Sequence, residues 1–261
     1  MKMKSGRKKY VIILIILSIY LGIIFVLFYN KKEKSMSIVI DNHAFFRYTK
    51  ADKWINIKLS NEVMDDYNWN KYKIYVNNNY FDNQYLWYND KWYIFDNDKQ
   101  PINYSGNLLA VRSDFDKGID VANFFEQEIK DYSYVYKVLN KKNITFDSNY
   151  TVKSFIDFDI DQDGISEQIY VISNAFPIDF SASKYYSYVF MVKNNKIYHI
   201  YGNTFNDMYD ACKAYVSGII DIDNDNKYEV IVNCGKYSNK GTVVSVYKFN
   251  NRKFEKVISN E

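Results

Sequence analysis

The chain has 261 residues, of which 19% are aromatic and 25% are charged, and its formal net charge is +3. This length can hold one large domain or two small ones, and the aromatic content excludes a low-complexity chain because it supplies enough apolar area for a core. Residues 1–30 carry five basic and no acidic side chains, so the remainder is slightly acidic and lacks the concentrated basic face that binding to nucleic acid requires.

The first predicted element is a transmembrane helix at residues 10–29, a run of twenty residues without a charge. A helix of this length spans the roughly 30 Å hydrocarbon core of a bilayer. The basic tail at residues 1–9 predicts a cytoplasmic N-terminus by the positive-inside rule, and residues 30–37 form a charged linker. A cleaved signal peptide is the alternative, but the apolar run is longer than usual and no small-residue cleavage site follows it. We therefore expect a single-pass protein of the cell membrane whose C-terminal region is extracytoplasmic.

An N-terminal β region is predicted at residues 38–112, where large apolar and polar residues alternate between clusters of Asn and Asp. A period of two indicates short antiparallel strands. The predicted strands lie at 54–59, 72–76, 85–88 and 92–95, and the last two form a hairpin that turns at Asn89 and Asp90.

A helical connector is predicted at residues 113–149, because the apolar side chains there recur at steps of three and four. Asp120 is the predicted N-cap, since its carboxylate can accept an N–H group of the first helical turn. The residues of the expected apolar face are Val121, Phe124, Phe125, Ile129, Tyr132, Val135, Tyr136 and Leu139.

The region at residues 150–261 contains an internal repeat with a shift of 62 residues. Each copy begins with an acidic loop, DIDQDGISE from Asp159 and DIDNDNKYE from Asp221, and continues into a hairpin. Each hairpin is expected to turn at a pair of Asn residues, because Asn tolerates the positive φ of such turns. The predicted turn residues are Asn194 and Asn195 in the first hairpin and Asn250 and Asn251 in the second.

Each acidic loop places four carboxylates at positions 1, 3, 5 and 9 within nine residues. Mutual repulsion makes this arrangement costly unless a hard divalent cation lies among the oxygens, and Ca²⁺ takes six to eight oxygen ligands in a flexible shell. A residue that accepts positive φ is expected at position 6, where Gly164 and Asn226 stand. The predicted ligands are the side chains of Asp159, Asp161, Asp163 and Glu167 with the carbonyl of Ile165 in the first loop, and the side chains of Asp221, Asp223, Asp225 and Glu229 with the carbonyl of Lys227 in the second.

Calcium is preferred to other metals, and two ions are expected. Mg²⁺ favours fewer carboxylates and keeps its waters, and Zn²⁺ is disfavoured because no His or Cys lies in either loop. An EF-hand is excluded, because Tyr170 and Val232 stand where its twelfth-residue Glu would be and the flanking segments are β-like. The alternative is that the loops are solvated Asp- and Asn-rich turns without a metal.

The loops resemble the D-x-D-x-D-G-x-x-D/E calcium loop of FG-GAP and VCBS repeats, which form the blades of integrin-like β-propellers. The resemblance covers residues 153–257 and implies that the side chains named above hold structural calcium ions. The hairpin at residues 85–95 is a third, fainter copy without an acidic loop before it. Two clear copies and one faint copy are too few for a ring of four to eight blades. The expected fold is therefore mainly β, with antiparallel blade-like sheets in a partial propeller or sandwich, one amphipathic helix and the N-terminal transmembrane helix.

The only cysteines are Cys212 and Cys234. Both lie in the region expected outside the membrane, where a disulfide can form, but two buried free thiols are an equal alternative because the sequence does not give their separation. His43 and His199 have no neighbouring Ser, Cys or acidic pattern that would indicate a nucleophile with its base.

No catalytic residue is predicted, and an enzymatic role is left open. The leading hypothesis is a membrane-anchored extracytoplasmic calcium-binding module that binds or scaffolds a protein or polysaccharide of the cell envelope. The alternatives are a cell-envelope hydrolase that uses calcium-organised carboxylates and an accessory subunit of a membrane complex.

Overall fold

The computed structural model describes residues 36–48, 53–57, 68–77, 79–89, 91–112, 120–146, 152–175, 184–236 and 241–261. Within these ranges no helix is both long and apolar enough to cross a membrane. The predicted basic tail and transmembrane helix lie outside the described residues. The first described strand begins at Met36, two residues inside the predicted linker.

The N-terminal β region forms one antiparallel sheet, called here the first sheet. Its strands are β1 (Met36–Ile40), β2 (His43–Tyr48), β3 (Lys53–Ile57), β4 (Asn70–Val76), β5 (Asn79–Asn89), β6 (Lys91–Phe95), β7 (Pro101–Ile102) and β8 (Leu108–Arg112). Their order across the sheet is β3-β2-β1-β8-β4-β5-β6-β7. Three of the predicted strands lie within β4, β5 and β6, and the fourth overlaps β3. The period of two therefore located four of the eight strands of this sheet.

The predicted connecting helix is wrong in its extent. A helix, α1, covers Ser133–Asn140 only, and the predicted N-cap Asp120 lies in a two-residue strand, β9 (Asp120–Val121). Between them, Gln127 pairs with Phe155 through two backbone hydrogen bonds of 2.8 and 2.9 Å. These hydrogen bonds to a sheet edge satisfy the backbone polar groups of Gln127. They outweigh the helical preference that the spacing of the apolar residues indicates.

The repeated region forms two further antiparallel sheets of four consecutive strands each. The second sheet consists of β10 (Val152–Phe158), β11 (Glu167–Ser173), β12 (Tyr185–Lys193) and β13 (Lys196–Phe205). The third sheet consists of β14 (Cys212–Asp221), β15 (Glu229–Lys236), β16 (Thr242–Asn250) and β17 (Lys253–Ser259), with β9 added beside β14. In each sheet the acidic loop joins the first strand to the second, so the sequence repeat is also a repeat of topology.

The first hairpin turns at its pair of Asn residues, and the second turns one residue later than its pair. Asn194 and Asn195 have φ of 50° and 59°, as predicted. In the second hairpin the positive-φ residues are Asn251 and Arg252 rather than Asn250 and Asn251. This register places Phe249 opposite Phe254 with ring centroids 5.0 Å apart, whereas the predicted turn would have placed Phe249 opposite Arg252. Cross-strand aromatic packing thus outweighs the strain of an arginine with positive φ.

The second and third sheets pack face to face. Their shared core contains Val171 and Met191 from the second sheet and Val230 and Val232 from the third, all at least 98% buried. These residues alternate along their strands with residues of the opposite face, as the pleat of a strand requires. The third sheet therefore presents one complete face to the second.

The other face of the third sheet packs against the first sheet, where Ile231 and Val246 share a core with Ile38 and Val111. On the outer face of the second sheet, α1 buries Val135 and its apolar neighbours. The order of layers is thus α1, second sheet, third sheet, first sheet. The described fold is mainly antiparallel β with one helix and no closed barrel, and its central layer is buried on both faces.

Candidate metal centre

The two acidic loops, 159–167 (the first loop) and 221–229 (the second loop), have the same internal hydrogen bonds. At position 1, the carboxylate of Asp159 accepts the N–H groups of Asp163 at 3.1 Å and Gly164 at 2.9 Å. Asp221 accepts the N–H groups of positions 5 and 6 of the second loop at 3.2 and 3.0 Å. Position 6 has positive φ in both, 87° at Gly164 and 61° at Asn226, as the sequence predicts.

The glutamate at position 9 is buried in both loops. Glu167 is 1% exposed and Glu229 is 0% exposed. One oxygen of each is satisfied, because Oε2 accepts the N–H of Ile160 or Ile222 at 2.9 Å. A buried carboxylate is costly unless its charge is paired, so the other oxygen, Oε1, has to meet a cation or the group has to be protonated.

The carboxylates of each loop converge on a common centre. In the first loop all four acidic residues offer an oxygen within 4.8 Å of the others, and in the second loop the three aspartates do so. The carboxylates that converge are those of Asp159, Asp161, Asp163 and Glu167 in the first loop and Asp221, Asp223 and Asp225 in the second. These groups agree with the predicted side-chain ligands except that Glu229 lies outside the second group.

A lysine that the sequence analysis missed lies at the centre of the first loop. Lys193 Nζ is 2.7 and 2.8 Å from the two carboxylate oxygens of Asp161, 2.6 Å from Asp163 Oδ2 and 2.7 Å from Glu167 Oε1. Its side chain is 12% exposed. A single ammonium group therefore contacts three of the four converging carboxylates.

The corresponding lysine of the second loop fits its carboxylates less closely. Lys248 Nζ is 2.5 Å from Asp223 Oδ2 and 2.8 Å from Asp225 Oδ2, but 3.4 Å from Glu229 Oε1. Asp223 Oδ1 and Glu229 Oε1 are buried and have no hydrogen-bond partner. The second loop thus holds two buried carboxylate oxygens that its lysine does not satisfy.

The pKa shifts reflect this difference. Burial raises the pKa of Glu229 to about 8, helped by the charges of Asp223 and Asp225 and only partly offset by Lys248. Burial also raises the pKa of Glu167, but the hydrogen bond from Lys193 opposes it. Burial alone would lower the pKa of either lysine, and hydrogen bonds to the carboxylates raise it above its ordinary value instead. Both lysines are therefore charged at neutral pH.

Strand register explains why a lysine reaches each loop. Gln168 pairs with Val192 in the second sheet, and Val230 pairs with Tyr247 in the third. One position further along each strand, the lysine lies across from the glutamate at position 9 of its loop. An alignment of VFMVK, which ends at residue 193, with VSVYK, which ends at residue 248, contains this signal. Patterns of metal-ligating residues do not include it, because an ammonium group is not a metal ligand.

The residues present fit a divalent cation. All the converging groups are carboxylates, which are ligands of hard cations, and the unsatisfied buried oxygens of Asp223 and Glu229 lack the partner that buried polar atoms normally have. A bound cation would supply positive charge that holds the carboxylates together. The carbonyls of Ile165 and Lys227 stay predictions as ligands.

The two cysteines are bonded to each other in the structure, with their Cα atoms 5.3 Å apart. The disulfide joins β14 to β15 and so closes the segment that carries the second loop. Tyr201 covers it, with its hydroxyl 3.1 Å from each sulfur. His199 is an exposed residue of β13, and His43 Nε2 lies 3.1 Å from the carbonyl oxygen of Thr242. Neither histidine joins the acidic loops.

No known protein family, curated protein or solved structure matches this chain. The candidate site is therefore defined by its own geometry. The loop occurs twice, each time with a buried glutamate at position 9. In each copy, carboxylates converge on a centre of the kind that hard cations occupy.

Proposed function

We propose that this protein is a membrane-anchored, extracytoplasmic calcium-binding module that acts as a binding or scaffold protein of the cell envelope. One observation carries the calcium proposal. Glu229 Oε1 is buried without a hydrogen-bond donor, and it lies 3.4 Å from the Lys248 Nζ that contacts Asp223 and Asp225. The pairing of this loop with a second loop of the same geometry supports two ions.

Calcium suits these loops better than other common cations. The ligand set consists of oxygens alone, which disfavours Zn²⁺, and it contains more carboxylates than the few that Mg²⁺ prefers. Each loop connects neighbouring strands of one sheet, so an ion there would hold the end of the sheet in place. This structural role agrees with what the resemblance to FG-GAP and VCBS repeats implies, and we extend that resemblance to propose that the second and third sheets are blade-like units.

The location rests on two features. Residues 10–29 supply an apolar segment long enough to span a bilayer, with the positive charge on its N-terminal side. The disulfide between Cys212 and Cys234 supports an oxidising compartment for the folded region. Together they favour a cytoplasmic N-terminus with the sheets on the other side of the membrane.

An aromatic surface on the first sheet supports a binding role. It consists of Trp69, Tyr85, Trp87, Tyr93 and Phe95, and is called here the aromatic surface. Apart from the preceding Trp69, its residues project from β5 and β6 on the face opposite to the buried Leu86 and Ile94. The rings contact one another, with the centroids of Trp69 and Phe95 5.0 Å apart and those of Trp87 and Tyr93 5.7 Å apart. A solvated sheet face normally carries polar residues, whereas here Trp69 is 41% exposed and the other four rings are half-buried. Such a cluster of partly exposed aromatic rings supports an interaction site.

The partner proposed for the aromatic surface is a polysaccharide of the cell envelope. The ring of Trp69, with the half-buried rings beside it, offers flat apolar area to sugar rings. Lys99 and Lys91 lie over the rings of Trp69 and Tyr93, at 5.0 and 5.1 Å from the centroids, and their ammonium groups can donate hydrogen bonds to hydroxyl groups. The surface thus combines stacking with polar donors.

Two measurements on the full chain in detergent test this proposal. Calorimetry should detect two equivalents of Ca²⁺ bound more tightly than Mg²⁺, and the melting temperature should fall in chelator. Binding to purified wall polysaccharide should weaken in Trp87→Ala but not in Phe125→Ala, because Phe125 is 73% exposed and lies outside the aromatic surface. A protein that takes up no Ca²⁺ and melts identically in chelator is not a calcium-binding module.

A further inference from the structure

We propose that Lys193 and Lys248 are built-in counter-cations of the two loops, which hold the carboxylates together without metal and compete with Ca²⁺ for the same oxygens. The inference rests on the proposed calcium binding. It adds a regulatory element to each site, because competition with the lysine raises the Ca²⁺ concentration at which the site fills. The two sites would then differ in affinity according to how well each lysine fits.

The position of the ammonium group carries the argument. Lys193 Nζ lies within 2.8 Å of Asp161, Asp163 and Glu167, and a Ca²⁺ ion shared by those oxygens would lie 2.3–2.6 Å from them. Both cations cannot occupy one centre at these separations. Lys193 therefore has to withdraw its ammonium group when the first loop takes up metal.

A lysine contacts the carboxylates of the acidic loop in both copies of the repeat. Lys193 and Lys248 come from corresponding strands, across from Glu167 and Glu229, and their side chains are only 12% and 18% exposed. Exposed ion pairs contribute little to stability, whereas removal of one partner from a buried pair is strongly destabilising. Without lysine or metal, each buried glutamate would lack its counter-charge.

The two copies differ in how completely the lysine satisfies the loop. Lys193 Nζ lies 2.7 Å from Glu167 Oε1, but Lys248 Nζ lies 3.4 Å from Glu229 Oε1 and leaves that oxygen without a hydrogen bond. A better-fitting lysine is a stronger competitor. The first loop should therefore bind Ca²⁺ more weakly than the second, and it should gain more when its lysine is removed.

The test uses Lys193→Met and Lys248→Met in the full chain in detergent. Methionine keeps much of the apolar stem and removes the charge. Lys193→Met should tighten Ca²⁺ binding at the first loop by about tenfold or more, which corresponds to about 1.4 kcal/mol. Lys248→Met should tighten the second loop by a smaller factor. In chelator both variants should melt at lower temperature than the wild type, because the carboxylates have lost their counter-charge.

The combination of tighter binding with lower metal-free stability distinguishes competition from a merely structural lysine, whose loss would weaken both. Lys196→Met is the matched control, since Lys196 is an exposed lysine of the same hairpin, and it should change neither quantity. If Lys193→Met does not fold in chelator, the less apolar Lys193→Gln provides the same comparison, and recovery of either variant by Ca²⁺ is the expected result.

Three outcomes separate this inference from the proposed function. Unchanged or weaker Ca²⁺ binding in both methionine variants, with two equivalents bound by the wild type, overturns the inference and leaves the proposed function standing. Ca²⁺ binding by the variants alone supports the inference and contradicts calcium binding by the native protein. Absence of binding in the wild type and in every variant overturns both.

Discussion

The backbone N–H of Tyr228 donates a hydrogen bond of 2.8 Å to the carbonyl oxygen of Ile160. Tyr228 belongs to the second loop and Ile160 to the first, so this bond joins the two acidic loops directly. The ring of Tyr228 also meets the ring of Phe158 edge to face, with centroids 5.0 Å apart. The two candidate sites therefore lie side by side at the same end of neighbouring sheets.

The bond between the loops predicts that the two sites are coupled. Asp161→Ala should remove one equivalent of bound Ca²⁺ and weaken the remaining site by at least about fivefold, within the usual range of coupling between sites. The reason is that Asp161→Ala removes a carboxylate that contacts Lys193 and would contact Ca²⁺, so the first loop holds the Ile160 carbonyl less firmly for Tyr228. Calorimetry on the full chain measures both quantities. Asp157→Ala is the control, because Asp157 is an exposed residue of β10 beside the loop. Unaltered affinity at the remaining site would mean that the loops act independently.

The buried glutamate of the second loop predicts a pH dependence in chelator. The pKa of Glu229 is raised to about 8 from an ordinary value of 4.5. Above pH 4.5 the unfolded chain releases the proton that the folded metal-free protein keeps. The contribution of this group to stability is therefore full below about pH 4.5 and falls by about 1.4 kcal/mol per pH unit as the pH rises toward 8.

Glu229→Gln should remove this slope and raise the metal-free stability near pH 8, while it lowers Ca²⁺ affinity at the second loop. Denaturant titrations in chelator between pH 5 and 8 measure the slope. The control is Glu255→Gln, since Glu255 is a partly exposed residue of β17 that pairs with Lys253 outside the loops. A wild-type slope in Glu229→Gln would show that another group is responsible.

The disulfide predicts a local effect on the second loop. The bond between Cys212 and Cys234 spans 22 residues, for which chain entropy gives a stabilisation of about 3 kcal/mol. Reduction should lower the melting temperature by roughly 6–12 °C for a folded region of this size, and it should weaken Ca²⁺ binding at the second loop more than at the first. The variant with Cys212→Ser and Cys234→Ser should already show both changes and should not respond to reductant. Equal melting of the oxidised and reduced protein would contradict this prediction.

The position-6 turn predicts which substitutions the loops tolerate. Gly164 has a φ of 87°, and nothing lies within 4 Å of an added Cβ atom, so the cost of Gly164→Ala is conformational alone. It should destabilise the protein by about 1–2 kcal/mol. Asn226→Gly should be almost neutral, because glycine adopts its φ of 61° readily. Thermal melting of both variants in saturating Ca²⁺ gives the comparison, and a neutral Gly164→Ala would indicate that the loop can adopt another turn.

Part of the fold could be read from local sequence. Four of the eight strands of the first sheet follow from alternation of apolar and polar residues, and the conformation of the repeated loops follows from Asp at position 1 and a positive-φ residue at position 6. These features depend on residues close together along the chain. The helical spacing before α1 was misleading because it reflects neighbouring residues only. The backbone hydrogen bonds that decide the conformation join Gln127 to the distant Phe155 at the edge of the second sheet.

The sequence by itself determined the two acidic loops, seven of the eight carboxylates predicted to converge there and the short antiparallel strands around them, since backbone preference and charge spacing act over a few residues. Only the tertiary structure decided that Lys193 and Lys248 lie among those carboxylates, that Cys212 bonds to Cys234, and that the third sheet is enclosed between the other two. Each of these contacts joins residues about twenty or more positions apart. The register between strands and the packing between sheets bring such residues together, and neither is encoded in a short stretch of chain.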